Sequence, residues 1–185
     1  MILDGFLLFT GTSNGASGGI TSSAYADAPT TGTQDCSNII DLGVTSGVPT
    51  SANGGGGRDI GIGDDPMLKL LVEVTTAFTG GTNLAVQLSG APDNGSGAPG
   101  SYTLMWVGRA VVEASLVPGA YVANIDVPRV VPGQAPPRFL KLSAISSGTH
   151  TAGTIVGSIV LDRFDQITGG SGVISGYPAG ITVAN

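Results

Sequence analysis

Apolar and polar residues alternate along much of the chain, and the period of that alternation is two. From Met67 to Phe78 the residues Leu68, Leu70, Val72, Val74 and Phe78 interleave with Lys69, Glu73 and Thr75. Successive side chains of an extended chain point to opposite faces, so this set lines one face of a sheet. The next stretch repeats the pattern, with Leu84, Val86 and Leu88 on one side and Asn83, Ala85 and Gln87 on the other. Thr79-Gly80-Gly81-Thr82 separates the two runs, which predicts a hairpin with a tight turn. Further strands are expected at Asn38–Gly43, Tyr102–Val107, Ala110–Val112, Tyr121–Val127, Phe139–Ile145 and Thr154–Arg163, with a brief one at Ile60–Ile62. Tyr121, Ala123, Ile125 and Val127 would share a face. Leu140, Leu142 and Ala144 would point inward, with Lys141 and Ser143 outward.

Turns and loops fill the intervals. Leu116–Gly119 and Ser146–Gly153 read as turns, and Gly90–Gly100 as a Gly- and Pro-rich loop. Pro132, Pro136 and Pro137 exclude a strand from Val130–Pro137. Ser13–Gln34 and Val44–Gly57 are long insertions of small residues, and Phe164–Asn185 is too broken by glycine for a long element. The opening Met1–Phe9 reads as a short strand or a docking arm. No run keeps helical periodicity over three turns. About eight closely spaced strands with turn signals between them predict an all-β antiparallel sandwich of jelly-roll type in a single domain.

Composition changes this picture in one respect. Charged residues make up only 11% of the chain against 41% hydrophobic, which predicts a folded protein with a surface partly covered in an assembly. The net charge is −6, and the basic residues Arg58, Lys69, Arg109, Arg129, Arg138, Lys141 and Arg163 form no cluster, which argues against a nucleic-acid partner. Cys36 is the single cysteine, so no intrachain disulfide is expected. No stretch approaches the ~20 apolar residues of a membrane span. Met1–Phe9 lacks the basic start and the long apolar core of a signal peptide, which predicts a chain made and kept in a cytoplasm or in something assembled there.

Each motif that suggests chemistry has a plainer reading. Gly11-Thr12-Ser13-Asn14-Gly15 and Gly15-Ala16-Ser17-Gly18-Gly19 both fit the nucleophile-elbow spacing, but they overlap in a low-complexity loop. The one histidine, His150, sits in a Ser/Thr/Gly turn. Asp59, Asp64 and Asp65 lie around Gly61 and Gly63, where a weak calcium site is conceivable; the spacing is not that of an EF-hand, and a turn ahead of Pro66 explains it. Gly61-Ile62-Gly63 precedes a strand rather than a helix, and Gly54–Gly57 lacks the lysine of a phosphate loop. Asn94-Gly95-Ser96 reads as a turn rather than a glycosylation site. One cysteine and one histidine make no zinc site. Glu73 and Glu113, the two glutamates, do not suggest a glycosidase pair. Trp106 is expected in the core, with a sugar platform formed by Trp106 and Tyr102 as the rival. The expectation is therefore a protein with no catalytic residue, cofactor or metal.

Several blocks in order resemble the capsid cement proteins of short-tailed bacteriophages. They are Met1-Ile2-Leu3-Asp4, Asn38-Ile39-Ile40-Asp41-Leu42-Gly43, Arg58-Asp59-Ile60-Gly61-Ile62-Gly63, the Leu68–Phe78 strand with Thr79-Gly80 and Leu84–Leu88, Arg138–Leu142, Thr151-Ala152-Gly153 and Leu161-Asp162-Arg163. The resemblance implies a jelly roll on the outer surface of the virion, assembled in the bacterial host cytoplasm. It implies the major capsid protein as partner, and a homo-oligomer, dimer or trimer, on symmetry axes of the shell. This chain departs from the family pattern in its Gly11–Asp35 and Val44–Gly57 insertions and in the tail after Arg163. With Met1–Phe9 and the loop before Asn38, that tail is where contacts are expected. The alternative is a carbohydrate-binding module or the receptor-binding knob of a phage fibre.

Overall fold

In the computed structural model the described residues are 7–11, 20–23, 25–43, 68–128 and 137–161. Their regular structure is almost entirely strand: β1 (Thr21–Ser23), β2 (Ala26–Ala28), β3 (Gly32–Asp41), β4 (Leu68–Ala91), β5 (Thr103–Val107), β6 (Val111–Val112), β7 (Tyr121–Asp126) and β8 (Phe139–Leu161). A single turn of 3₁₀ helix, Glu113–Ser115, is the only other named element between β1 and β8 among the described residues. Every strand pairing is antiparallel, as the alternation and turn signals predict.

The expected hairpin at Thr79–Thr82 is not there. β4 runs through it as one strand of 24 residues, and β8 likewise runs through the expected turn at Ser146–Gly153 for 23 residues. The two pair along their whole length, from Leu68 opposite Leu161 to Ala91 opposite Phe139. Their register slips repeatedly between Val74 and Asn83. Glycine at positive φ accommodates the distortion, notably Gly80 (88°) and Gly153 (126°). Glycine and threonine that suggest a turn here serve instead to fold a paired ribbon over.

That folding converts one hydrogen-bonded sheet into two facing layers. In the first, residues 69–73 of β4 lie between β7 and residues 155–161 of β8, and that half of β8 also pairs with Asp27 of β2 and with Leu8. In the second, residues 84–91 of β4 lie between residues 139–146 of β8 and the short strands β5 and β6, with β3 on the far side of β8. The layers touch across the core. A Cβ built on Gly157 would stand 2.6 Å from a Leu142 methyl carbon, although the two residues belong to the same strand.

The inner faces carry the apolar sets read from the sequence. Leu70, Val72 and Val74 of one half of β4 and Leu84, Val86 and Leu88 of the other are fully buried, as are Leu140, Leu142 and Ala144. Burial of each large aliphatic side chain stabilises by about 1.5–3 kcal/mol, so this double row is the main source of cohesion. Between the pairs Val74–Ile155 and Leu84–Ser146, β4 advances ten positions and β8 nine. The inward parity of β8 therefore switches from Leu140, Leu142 and Ala144 to Ile155 and Ile159.

Three expectations are corrected. Tyr121 does not share the inward face; it is exposed, because the β4–β7 register shifts between Val72 and Glu73, while Val122 and Ala123 are buried. The Ser13–Gln34 loop contains β1, β2 and the start of β3, so part of it belongs to the sheet. The described end of Met1–Phe9, expected as a short strand or a docking arm, packs into the fold itself: Leu8 and Phe9 are buried, Phe9 N donates to Gly157 O (2.8 Å), and Asn38 N donates to Phe9 O (2.8 Å).

Candidate functional site

The buried polar residues join strands to one another. Asp27, fully buried on β2, accepts from Gly11 N (3.0 Å), Ser37 N (2.8 Å) and Ser37 Oγ (2.6 Å). Thr10 Oγ1 donates to Tyr25 O (2.8 Å) and accepts from Gly157 N (3.1 Å), and Asn38 Nδ2 donates to Thr10 O (3.0 Å). Together they hold the segment at residues 8–11 between β8 and the irregular stretch of β3 at Cys36–Asn38. Cys36 is buried beside them; burial first, then the nearby charges of Asp27 and Asp35, push its thiol well above its usual range. It is not a nucleophile in this state.

His150 lies in the bend of β8, where it is 2% exposed rather than set in an open turn. Its Nε2 is 3.2 Å from Asn83 O, its Nδ1 is 3.8 Å from Glu113 Oε2, and its ring meets Phe78 edge-on at 4.9 Å. No serine hydroxyl is hydrogen-bonded to it among the described residues. Among the described residues no group of three or more His, Cys, Asp or Glu side chains converges as a metal site. Ser13, Gly15, Asp59, Asp64, Asp65, Gly61, Gly63 and the run Gly54–Gly57 lie outside the described residues. Asn94 belongs to a turn, where its Oδ1 accepts from Ser96 N (2.9 Å) and Ser96 Oγ (2.8 Å).

The outer surface is where the remaining polar chemistry lies, and among the described residues Lys69, Arg138 and Lys141 each form an ion pair within the chain. Lys69 of β4 pairs with Asp126 of β7. Arg138 grips Asp41 with two hydrogen bonds (Nε 2.9 Å, Nη2 3.0 Å) and reaches Asp93 with Nη1, so it ties the end of β3 to the loop after β4. Lys141 pairs with Asp35 (2.9 Å) and lies over the Tyr102 ring at 4.3 Å. For Asp35, burial opposes the charged form, but hydrogen bonds from Lys141 and Ser143 outweigh it and hold the carboxyl below the usual range. For Asp41, burial likewise opposes ionisation and the Arg138 and Gly43 hydrogen bonds prevail. Asp93 is lowered by the backbone N–H groups of Gly95 and Gly97, with Arg138 adding to them.

Trp106 faces inward opposite Leu88 and is half-buried, packed against the edge of the core rather than within it. Tyr102 is half-buried beneath Lys141, so the two rings do not form an exposed platform. Among the described residues, the large apolar side chains left exposed are Tyr25, Ile39, Leu104, Val107, Val112, Val117 and Tyr121. They are spread over strand faces and loops. Around the bend, Thr75 contacts Thr154 (2.8 Å) and Thr79 contacts Thr151 (3.1 Å) through their hydroxyls, an uncharged, exposed edge.

The model of one protein family, described as Bbp16, matches residues 24–159. The chain belongs to the Bbp16 family. No curated protein matches it. The Bbp16 match begins just before β2 and ends at Ile159 within β8, so it takes in both layers and the bend. The residue 8–11 segment and its buried Phe9 lie outside it.

The sequence did not point to Asp27 or to the Arg138 clamp as organising residues. Asp27 lies in a low-complexity stretch, and its partners are 10 and 16 residues away. The acids that meet Arg138 are 45 and 97 residues away. No short-range spacing could reveal either.

Proposed function

We propose that this chain is a structural virion protein, a cement protein that binds the outside of a bacteriophage head and stabilises contacts between capsomers of the major capsid protein. It acts as a homo-oligomer and catalyses no reaction. Counting the halves of β4 and β8 separately, the layers read β2–β8–β4–β7 and β3–β8–β4–β5, the wrapped order of a jelly roll. This supports the resemblance on which the reading rests.

The observation that carries the reading is that three of the four basic side chains among the described residues are paired within the chain while apolar side chains stay exposed. Lys69, Arg138 and Lys141 are each spent on aspartates of their own chain, while apolar side chains such as Leu104, Val107, Val112 and Val117 stay exposed. A surface of this kind gains little from long-range steering and more from close-fitting contact in a fixed array. Many weak contacts on one shell then add through effective concentration, and binding to the assembled lattice stabilises it by mass action.

The test is co-expression with a candidate major capsid protein from the same genome, followed by sedimentation and electron microscopy of the shells. Saturable, symmetric occupancy and greater resistance of the shells to heat are expected. Shells that remain bare at saturating protein would refute the proposal. Deleting Met1–Phe9 is not a clean test, because Leu8 and Phe9 are core residues and their loss would weaken the fold directly.

A further inference from the structure

We infer that the loop after β4 is a self-modification site, where the side-chain amide of Asn94 is lost to attack by the backbone nitrogen of Gly95, assisted by Asp93 and Ser96. The inference rests on this loop alone and not on the proposed capsid role.

The loop closes on itself between β4 and β5. Asp93 bridges to Pro99, Asn94 N donates to Ala98 O (2.9 Å), and Gly100 N donates to Pro92 O (2.8 Å). Asn94, Gly95 and Ser96 lie exposed at its tip, open to water. Hydrogen bonds hold each group that the reaction needs. Asn94 Oδ1 accepts from Ser96 N (2.9 Å) and Ser96 Oγ (2.8 Å). A bond to the N–H two residues ahead folds the asparagine side chain back over its own backbone, which brings its Cγ toward Gly95 N. The same two donors sit at the oxygen where negative charge develops when a nucleophile adds to Cγ, as in an oxyanion hole. Gly95 N in turn donates to Asp93 Oδ1 (2.7 Å), so the proton that must leave the attacking nitrogen already points at a carboxylate. Gly97 N (3.0 Å) and Arg138 Nη1 hold that carboxylate in place.

Gly95 completes the arrangement. Its φ is 92°, a conformation that glycine adopts without strain, and nothing lies within 4 Å of a Cβ built on it. Without a side chain, the residue leaves its nitrogen unshielded.

In the first step Gly95 N bonds to Asn94 Cγ and its proton passes by way of Asp93 to Nδ2. The Cγ–Nδ2 bond then breaks and releases ammonia, leaving a five-membered succinimide. Water opens that ring at either carbonyl and gives aspartate or isoaspartate. One amide becomes one carboxylate, and nothing is oxidised or reduced. Either product adds a negative charge beside the Arg138 pairs with Asp41 and Asp93. Isoaspartate also inserts a carbon into the backbone next to the Asp93–Pro99 bridge, which reshapes the exposed tip.

The experiment is peptide-mapping mass spectrometry on the full chain at neutral pH, comparing the folded protein with the same chain in urea. A gain of about 1 Da at Asn94, with isoaspartate among the products, should appear about tenfold faster in the folded protein. Asp93→Ala and Ser96→Ala should each slow the folded chain by about tenfold and leave the rate in urea unchanged, whereas Ser96→Thr, which keeps the hydroxyl, should retain the folded rate. If Asp93→Ala does not fold, the exposed Ser96 variants decide alone. A folded chain that reacts no faster than the unfolded one, or a folded rate indifferent to loss of the Ser96 hydroxyl, would overturn the proposal.

Discussion

Asp27 shows how much one side chain organises when its partners come from distant parts of the chain. Its carboxylate is fully buried and answers the N–H of Gly11 and both donors of Ser37, so it joins the N-terminal segment to β2 and β3. Removing it leaves buried donors unmatched, and each hydrogen bond to a charged group contributes about 1.5–3 kcal/mol. Asp27→Ala should therefore lose about 3 kcal/mol or more of stability. Urea denaturation followed by tryptophan fluorescence is the measurement, with Trp106 as the single indole. An unchanged midpoint would mean that the segment at residues 8–11 is held by apolar packing alone. Nothing in the run Ser22-Ser23-Ala24-Tyr25-Ala26-Asp27 marks this aspartate as buried. Turn-prone composition hides a carboxylate whose role depends on long-range neighbours.

At the scale of elements, the bend in β4 and β8 decides the architecture, and glycine at close approaches makes it sterically feasible. Gly153 combines a φ of 126° with a Phe78 ring atom 2.3 Å from any Cβ. Gly157 has ordinary φ but faces Leu142 across the core. Overpacking costs about 1–3 kcal/mol, and a strained backbone adds a similar amount. Gly153→Ala should be the more damaging, at about 3 kcal/mol or more, and Gly157→Ala the milder, at about 1–2 kcal/mol, because a leucine methyl can move aside. Thermal unfolding of the two variants orders them; the reverse order would show that the layer separation, not the bend, is the tighter constraint. The inward-facing sets on β4 and β8 were legible because alternation is a local property of the pleat. The continuity of each strand through Thr79–Thr82 and Ser146–Gly153 was not, because the same glycines serve a hairpin turn and a bulged bend equally well.

For the molecule as a whole, the charge pairs set the response to acid. Asp35, Asp41 and Asp93 are all held below the usual carboxylate range, so the folded chain binds fewer protons than the unfolded one near pH 4. Their stabilisation is complete above the unfolded value of about 3.9 and is lost as pH falls through their folded values. Urea midpoints should decline below about pH 4, and Arg138→Gln should flatten the decline by removing the partner of two of the three. A midpoint insensitive to pH in this range would show that the pairs are too well solvated to matter.

The amino-acid sequence by itself determined that the chain is all-β, and which residues turn inward along β4 and the first half of β8. These follow from nearest-neighbour geometry and from composition. Only the tertiary structure decided that two long strands fold over together, that Leu8 and Phe9 lie inside their own sandwich, and that Arg138, Asp27 and His150 find their partners. Those arrangements depend on which distant segments close upon each other, a choice governed by the whole chain's packing and loop closure, which no local pattern encodes.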